Sequence, residues 1–273
     1  IVNRNLYQTE EMGLQGLMER LWKHSLATAF CARLIAERLK LGEQESYFTM
    51  GLIHDIGKVP LLQGISTLRA RGDETMKAEW ALGKRIGRDL LTIIDDSSET
   101  GSGYTPFDDE GTRGRKTEII SAGILTGRLH STATAVALGE EPTGNARAVS
   151  FEFEPIVRMT TTYIDRGDRP LKDILAEMEE GIFVDTIKHG SGMSTFTLAP
   201  ARAYKIENGK ITKPLRISVI TGNVFTTLQE VDALSQEFRL GSFVGGGCGK
   251  MEQYPLPVGF GGPYTRVRKL QVQ

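Results

Sequence analysis

The apolar residues of this chain keep one period up to about residue 90 and a different one after it. Between 11 and 39, Leu14, Leu17, Met18, Leu21, Trp22, Leu26, Ala29, Phe30 and Leu34 recur three and four residues apart, the spacing of one helix face. Gly42 stops this run. A second helix is expected from about Glu43 to Ile56, with Tyr47, Phe48, Leu52 and Ile53 as its apolar face, and Pro60 ends the stretch. Residues 65–90 keep a helical character, with a break at Gly72-Asp73. Beyond Leu90 the pattern turns into short β-rich runs cut by glycine, at 91–94, 116–120, 124–129, 201–207, 210–211, 215–220 and 265–272. Helices return at about 131–138, 170–180 and 224–235. Asn208-Gly209, between Tyr204-Lys205-Ile206-Glu207 and Lys210-Ile211, is a two-residue hairpin signal. Asp109-Glu110-Gly111 and Ala122-Gly123 mark further turns. The expected fold class is therefore α+β: an N-terminal all-α helical module, then a β-rich α+β domain with a mainly antiparallel sheet. The boundary belongs between Gly64 and Lys84, which gives parts at 1–72 and 78–273.

A chain of 273 residues can bury one large core or two modest ones. Its formal net charge of −1 favours neither a nucleic-acid partner nor a membrane surface. No apolar run approaches the roughly 18 residues of a membrane span, and no signal peptide is read. The two cysteines, Cys31 and Cys248, lie far apart in unlike settings. A disulfide framework is not expected, and a cytoplasmic location is.

Few residues carry chemistry. Cys248 sits in Phe243-Val244-Gly245-Gly246-Gly247-Cys248-Gly249-Lys250, where glycines let the backbone wrap closely around whatever the sulfur touches. Lys250 favours the thiolate, the form that binds metal or attacks a substrate. A nucleophilic role needs a base, and none is evident nearby. His24, on the first helix, can face His54-Asp55 at the end of the second; two imidazoles and a carboxylate suit Fe, Mn, Zn or Ni. The plainer reading is that His54 and Asp55 cap their helix and hydrogen-bond to His24. His130, after a strand, and His189, in a glycine-rich loop, can reach Cys248 only through the tertiary fold. Asp108, Asp109 and Glu110 read as a turn with solvated charges. Arg158 either orients a peptide backbone or braces a strand.

Two resemblances cover the two parts. Leu21-Trp22-Lys23-His24-Ser25-Leu26-Ala27 and Phe48-Thr49-Met50-Gly51-Leu52-Ile53-His54-Asp55-Ile56-Gly57-Lys58 resemble the HDOD branch of the HD superfamily. That likeness implies a signalling or scaffold module with a residual metal site at His24, His54 and Asp55, and Lys58 as a substrate contact. Active HD hydrolases need a further Asp, for which only Asp73 or Asp89 is available.

From Leu82 onward the chain is similar to the C-terminal domain of the TldD/PmbA family, the modulators of gyrase. The matching segments run in order: Leu82-Gly83-Lys84-Arg85-Ile86, Ile93-Ile94-Asp95-Asp96, Pro106–Gly111, Pro142–Ala148, Arg158–Ile164, Ala203–Lys210, Cys248-Gly249-Lys250 with Gln253, and Pro257-Val258-Gly259. This resemblance implies a metallopeptidase-related homo- or heterodimer. Zinc would be held by two His of a helical HExxxH motif and by the cysteine at Cys248, with Arg158 and Lys250 close to a peptide substrate. The HExxxH motif is absent where it should precede Leu82, and His54-Asp55 supplies one His where the motif has two. The leading expectation is a non-catalytic or partner-dependent peptide-binding subunit, with zinc or another divalent metal as the implied cofactor. The alternatives are an HDOD-type signalling protein and a chimeric or truncated gene product.

Overall fold

The computed structural model describes residues 81–192, 195–242, 247–250 and 252–273. The helices expected over 11–39 and 43–56, the boundary at 72–78, and His24, His54, Asp55 and Lys58 lie outside these residues. Where the third helical stretch enters the described region, over 81–90, it is not a helix. Gly83 turns the chain at φ 85°, its N–H donates to Leu125 O, and Leu125 N–H donates to Lys84 O. Those cross-chain bonds use the backbone groups that a helix would keep for itself.

One sheet has six strands in the order β11 (Val231–Ser242), β14 (Gly259–Val267), β6 (Thr161–Ile164), β1 (Ile93–Asp96), β2 (Lys116–Ser121) and β3 (Ile124–Leu125). Its neighbours are antiparallel except β14 and β6, which run parallel. A second, five-stranded sheet runs β15 (Gln271–Val272), β10 (Ile220–Asn223), β8 (Thr195–Glu207), β7 (Glu180–Gly192), with β9 (Lys210–Leu215) also on β8. β10 pairs the first half of β8 and β9 the second. Two short ribbons complete the set: β4 (Ala146–Arg147) with β5 (Ile156–Val157), and β12 (Cys248–Lys250) with β13 (Gln253–Leu256). The β-rich, mainly antiparallel α+β domain expected of this part is what its residues form.

The turns follow from local chemistry. Asn208 and Gly209 take φ of 49° and 77° between β8 and β9, and Ala122 and Gly123 take 46° and 75° between β2 and β3. Helix α1 (Thr132–Leu138) starts at Ser131, whose hydroxyl accepts from Thr134 N–H while Thr134 answers the Ser131 N–H, and it ends at left-handed Gly139. α2 (Leu171–Ala176) is shorter than the 170–180 expected. α3 (Val224–Glu230) is capped by the Asn223 carboxamide. It ends five residues before the expected 235, because Val231 and Ala233 are buried on alternate positions while Asp232 reaches Arg266 on β14 at 2.7 Å, which is strand geometry. Residues 216–219 connect β9 to β10 rather than forming the expected strand; Ser218 and Val219 N–H both donate to Gln273 O. His189 lies in β7 opposite Ala199, not in a loop.

One apolar cluster joins both sheets, through Leu91, Ile93, Ile119 and Met159 on one side and Phe196 and Ile220 on the other. β1 and β6 are buried along their whole length, so the centre of the six-stranded sheet is covered on both faces. Leading into that centre, Gly144 has φ 76°, and a Cβ there would sit 2.6 Å from Gly114 Cα and 2.7 Å from Arg113 O. Gly144→Ala is expected to cost about 2–3 kcal/mol, since the strain and the backbone clash cannot relax together. Urea denaturation checks this, and an unchanged midpoint would contradict the geometry.

Candidate functional site

The centre forms where β1, the β4–β5 ribbon, the entry to β6 and the β12–β13 ribbon meet. Cys248 opens β12 and is buried at 3% exposure. Gly247 must be glycine here, because a Cβ would lie 2.0 Å from Leu256 O on β13. A tight turn through Glu252, at φ 67°, sets Lys250 opposite Gln253. Two side chains strap this ribbon to β5. The Arg158 guanidinium donates from Nη2 to Cys248 O at 2.5 Å, and Lys250 Nζ donates to Val157 O at 2.6 Å. Gln253 adds a third tie, donating to Glu154 O at 2.9 Å and accepting from Val149 N–H at 3.2 Å.

Behind the strap, Asp95 organises a polar hub at 1% exposure. Its Oδ1 accepts from Thr160 N–H at 2.9 Å and Thr162 Oγ1 at 2.6 Å. Its Oδ2 accepts from Thr160 Oγ1 at 2.6 Å and Asn145 Nδ2 at 2.8 Å. This explains how Thr160 and Thr162 fill buried central positions: one carboxylate collects their donors, while the buried Thr161 hydroxyl has no hydrogen-bond partner. Asn145 also donates to Arg158 O and accepts from Arg158 N–H, which fixes the arginine's backbone. Arg147 donates to Met159 O at 2.7 Å and Pro257 O at 3.0 Å.

Three cations, Arg147, Arg158 and Lys250, thus lie close together near Cys248, with Asp95 and Asp109 acting on Arg147. Burial pushes Lys250 down to about 8, and the neighbouring Arg158 pushes the same way while Cys248 opposes it. Burial likewise lowers Arg147, with Asp95 opposing and Arg158 reinforcing the shift.

Of the residues expected to carry chemistry, Cys248, Arg158 and Lys250 come together. The arginine braces β12, donating to the carbonyl of Cys248. Asp108 corrects the expectation of a solvated turn. At 6% exposure it accepts from Glu110, Thr112 and Ala146 N–H, while Asp109 accepts from Ala148 N–H and Glu110 from Thr132 N–H. These acids fasten the 108–112 turn to β4 and to the start of α1. His130 is engaged at both ring nitrogens, by Thr134 Oγ1 at 3.1 Å and Glu140 Oε2 at 2.9 Å, so neither is offered to Cys248. The side chain of His189 is outside the described residues. Asp95, Asn145 and Arg147 had no role assigned from sequence; their one signal was membership of the ordered segments 93–96 and 142–148.

The profile of the PmbA/TldA metallopeptidase C-terminal domain matches residues 59–273, and the chain belongs to that family. An HDOD domain profile matches residues 1–95, overlapping the first over 59–95, a stretch that contains the expected boundary. A metalloprotease of Synechocystis sp. is 41% identical over 194 residues, covering 70% of this chain and 42% of its own length. A zinc metalloprotease TldD homologue of Saccharolobus solfataricus is 36% identical over 195 residues, covering 69% of this chain and 43% of its own length. The chain therefore spans less than half the length of these relatives. The crystal structure of TldE from Thermococcus kodakarensis superposes with a TM-score of 0.64 over 82% of this chain and 48% of that one; at 22% identity it shows the fold.

The family is one of metallopeptidases, so a divalent metal is implied. Among the described residues no three His, Cys, Asp or Glu side chains come together to hold one. Cys248 is packed into the apolar cluster, its carbonyl is held by Arg158, and Arg147 and Lys250 feel its charge; a guanidinium does not ligate, and like charge repels a dication. The described residues do not by themselves fit a zinc site. Among them, no helix is long and apolar enough to cross a membrane.

Proposed function

We propose that this chain is a peptide-binding subunit of the PmbA/TldA family that does not hydrolyse peptides alone and acts as a cytoplasmic homo- or heterodimer with a TldD-type subunit. The observation that carries the reading is the setting of Cys248. By resemblance it corresponds to the family's thiolate ligand, yet it is packed in the apolar cluster with Arg158 on its carbonyl and Arg147 and Lys250 nearby, and no HExxxH occurs in the 273 residues. The relatives named as metalloproteases support peptides as the ligand class. In this reading Lys250 and Arg158 present cationic groups to a peptide and hold β12 in place for it.

The HDOD profile match over residues 1–95 favours a second reading, a signalling module with metal at His24, His54 and Asp55 and a substrate contact at Lys58. Metal analysis of the purified chain, beside Cys248→Ala and His54→Ala, separates the two. The subunit reading expects well under about 0.1 metal equivalents in all three and no cleavage of an unstructured peptide. Zinc lost only in Cys248→Ala would overturn it in favour of a peptidase site. Metal lost only in His54→Ala would favour the HD-type site.

A further inference from the structure

Among the described residues Arg158 is the largest fully buried side chain, at 0% exposure, and only part of its guanidinium is used. Nη2 donates to Cys248 O, while neither Nε nor Nη1 has a hydrogen-bond partner. A buried N–H without an acceptor is costly, and more so when it carries charge. Asp95 does not answer it: both oxygens are taken by Asn145, Thr160 and Thr162. Arg147, buried to 9%, and the half-buried Lys250 add further positive charge to the same centre. A hub with three cations, an Asp95 and an Asp109 already accepting from other donors, and two unmet guanidinium nitrogens is built for an added anion. The guanidinium is a planar donor whose oxygen partners of choice are carboxylate-like, so a carboxylate is the anion that matches it.

We propose that Arg158, with Arg147 and Lys250, forms a carboxylate-binding centre beside Cys248 that receives the free C-terminal carboxylate of a peptide. The inference rests on the peptide-binding reading above and names the end of the peptide that is recognised. Gly249 is exposed and Lys250 beside it is half-buried, so in this proposal the peptide end approaches over the β12–β13 ribbon. A carboxylate there would take its hydrogen bonds from Nε or Nη1 of Arg158 and its charge from all three cations. A side-chain carboxylate from Asp or Glu has the same chemistry, and the ligands below distinguish the two sources.

Calorimetric titration of the full chain with Ala-Ala-Ala, its C-terminal amide, and acetyl-Ala-Glu-Ala-amide tests this without altering the protein. The free acid is expected to bind at least about thirtyfold more tightly than its amide, from loss of charge-assisted hydrogen bonds. The glutamate peptide should bind as weakly as the amide. Arg158→Gln and, should that variant fold poorly, Lys250→Gln should each erase the preference for the acid. Equal binding of the glutamate peptide and the free acid would overturn C-terminal recognition and assign the centre to acidic side chains. Equal binding of acid and amide would overturn the carboxylate centre and leave the peptide-binding reading standing. Binding of none of the three would overturn both.

Discussion

Asp95→Ala is expected to destabilise the domain by about 4–5 kcal/mol, the largest effect of any single substitution at the centre. The carboxylate is 1% exposed and accepts from Thr160 N–H, Thr160 Oγ1, Thr162 Oγ1 and Asn145 Nδ2. Its removal leaves four buried donors without an acceptor, each costing on the order of 1 kcal/mol or more, and takes from Arg147 the larger of its two carboxylate influences. Asp95→Asn keeps an oxygen and the volume but loses the charge and one accepting oxygen, so about half the loss is expected. Urea denaturation of the three proteins checks both figures. A cost below about 1 kcal/mol for Asp95→Ala would mean that the hub does not hold the sheet together.

Lys250→Met is expected to change how stability depends on pH. In the folded chain Lys250 titrates at about 8, below its ordinary 10.5, because burial disfavours the ammonium. Between those values the unfolded chain holds a proton that the folded chain has released, so stability rises with pH across the window. Below pH 8 the cost of the buried ammonium is fully present. The gap amounts to about 3 kcal/mol gained by the parent between pH 8 and 10.5 and absent from the methionine variant. Tyr163, raised by burial and by Asp96 and Glu99, acts in the opposite direction above pH 10, but equally in both proteins. The difference between the two denaturation curves at each pH therefore isolates Lys250. Parallel curves for parent and variant would show that the ammonium is not held as described.

Where a local rule sets the structure, the sequence was legible. Asn208-Gly209, Ala122-Gly123 and the stretch after Ser131 fold as their residues require, since positive φ and capping hydroxyls act within four residues. The β-rich runs at 116–120 and 201–207 fall within β2 and in the second half of β8, whose first half is not among the expected runs. Thr161–Ile164 was not legible: two threonines open it without a hydrophobic alternation, and pairing with β1 and β14, with Asp95 accepting from Thr162 67 residues away, makes it a buried strand. Helix α3 was overrun for a related reason. Nothing between Glu230 and Ser235 forbids a helix; pairing with β14 and the Asp232–Arg266 contact decide against one.

The same division holds at the centre. The order of short segments, with Cys248-Gly249-Lys250 near its end, determined the family and singled out the thiol, because motif residues are written in the chain itself. The company Cys248 keeps was decided by tertiary structure alone. Arg147 and Arg158 reach it from about 100 and 90 positions away, and Asp95 lies further still. Charge is summed over space and not along sequence, so only the folded sheet reveals a thiol set among three cations and an arginine with two nitrogens still unmatched.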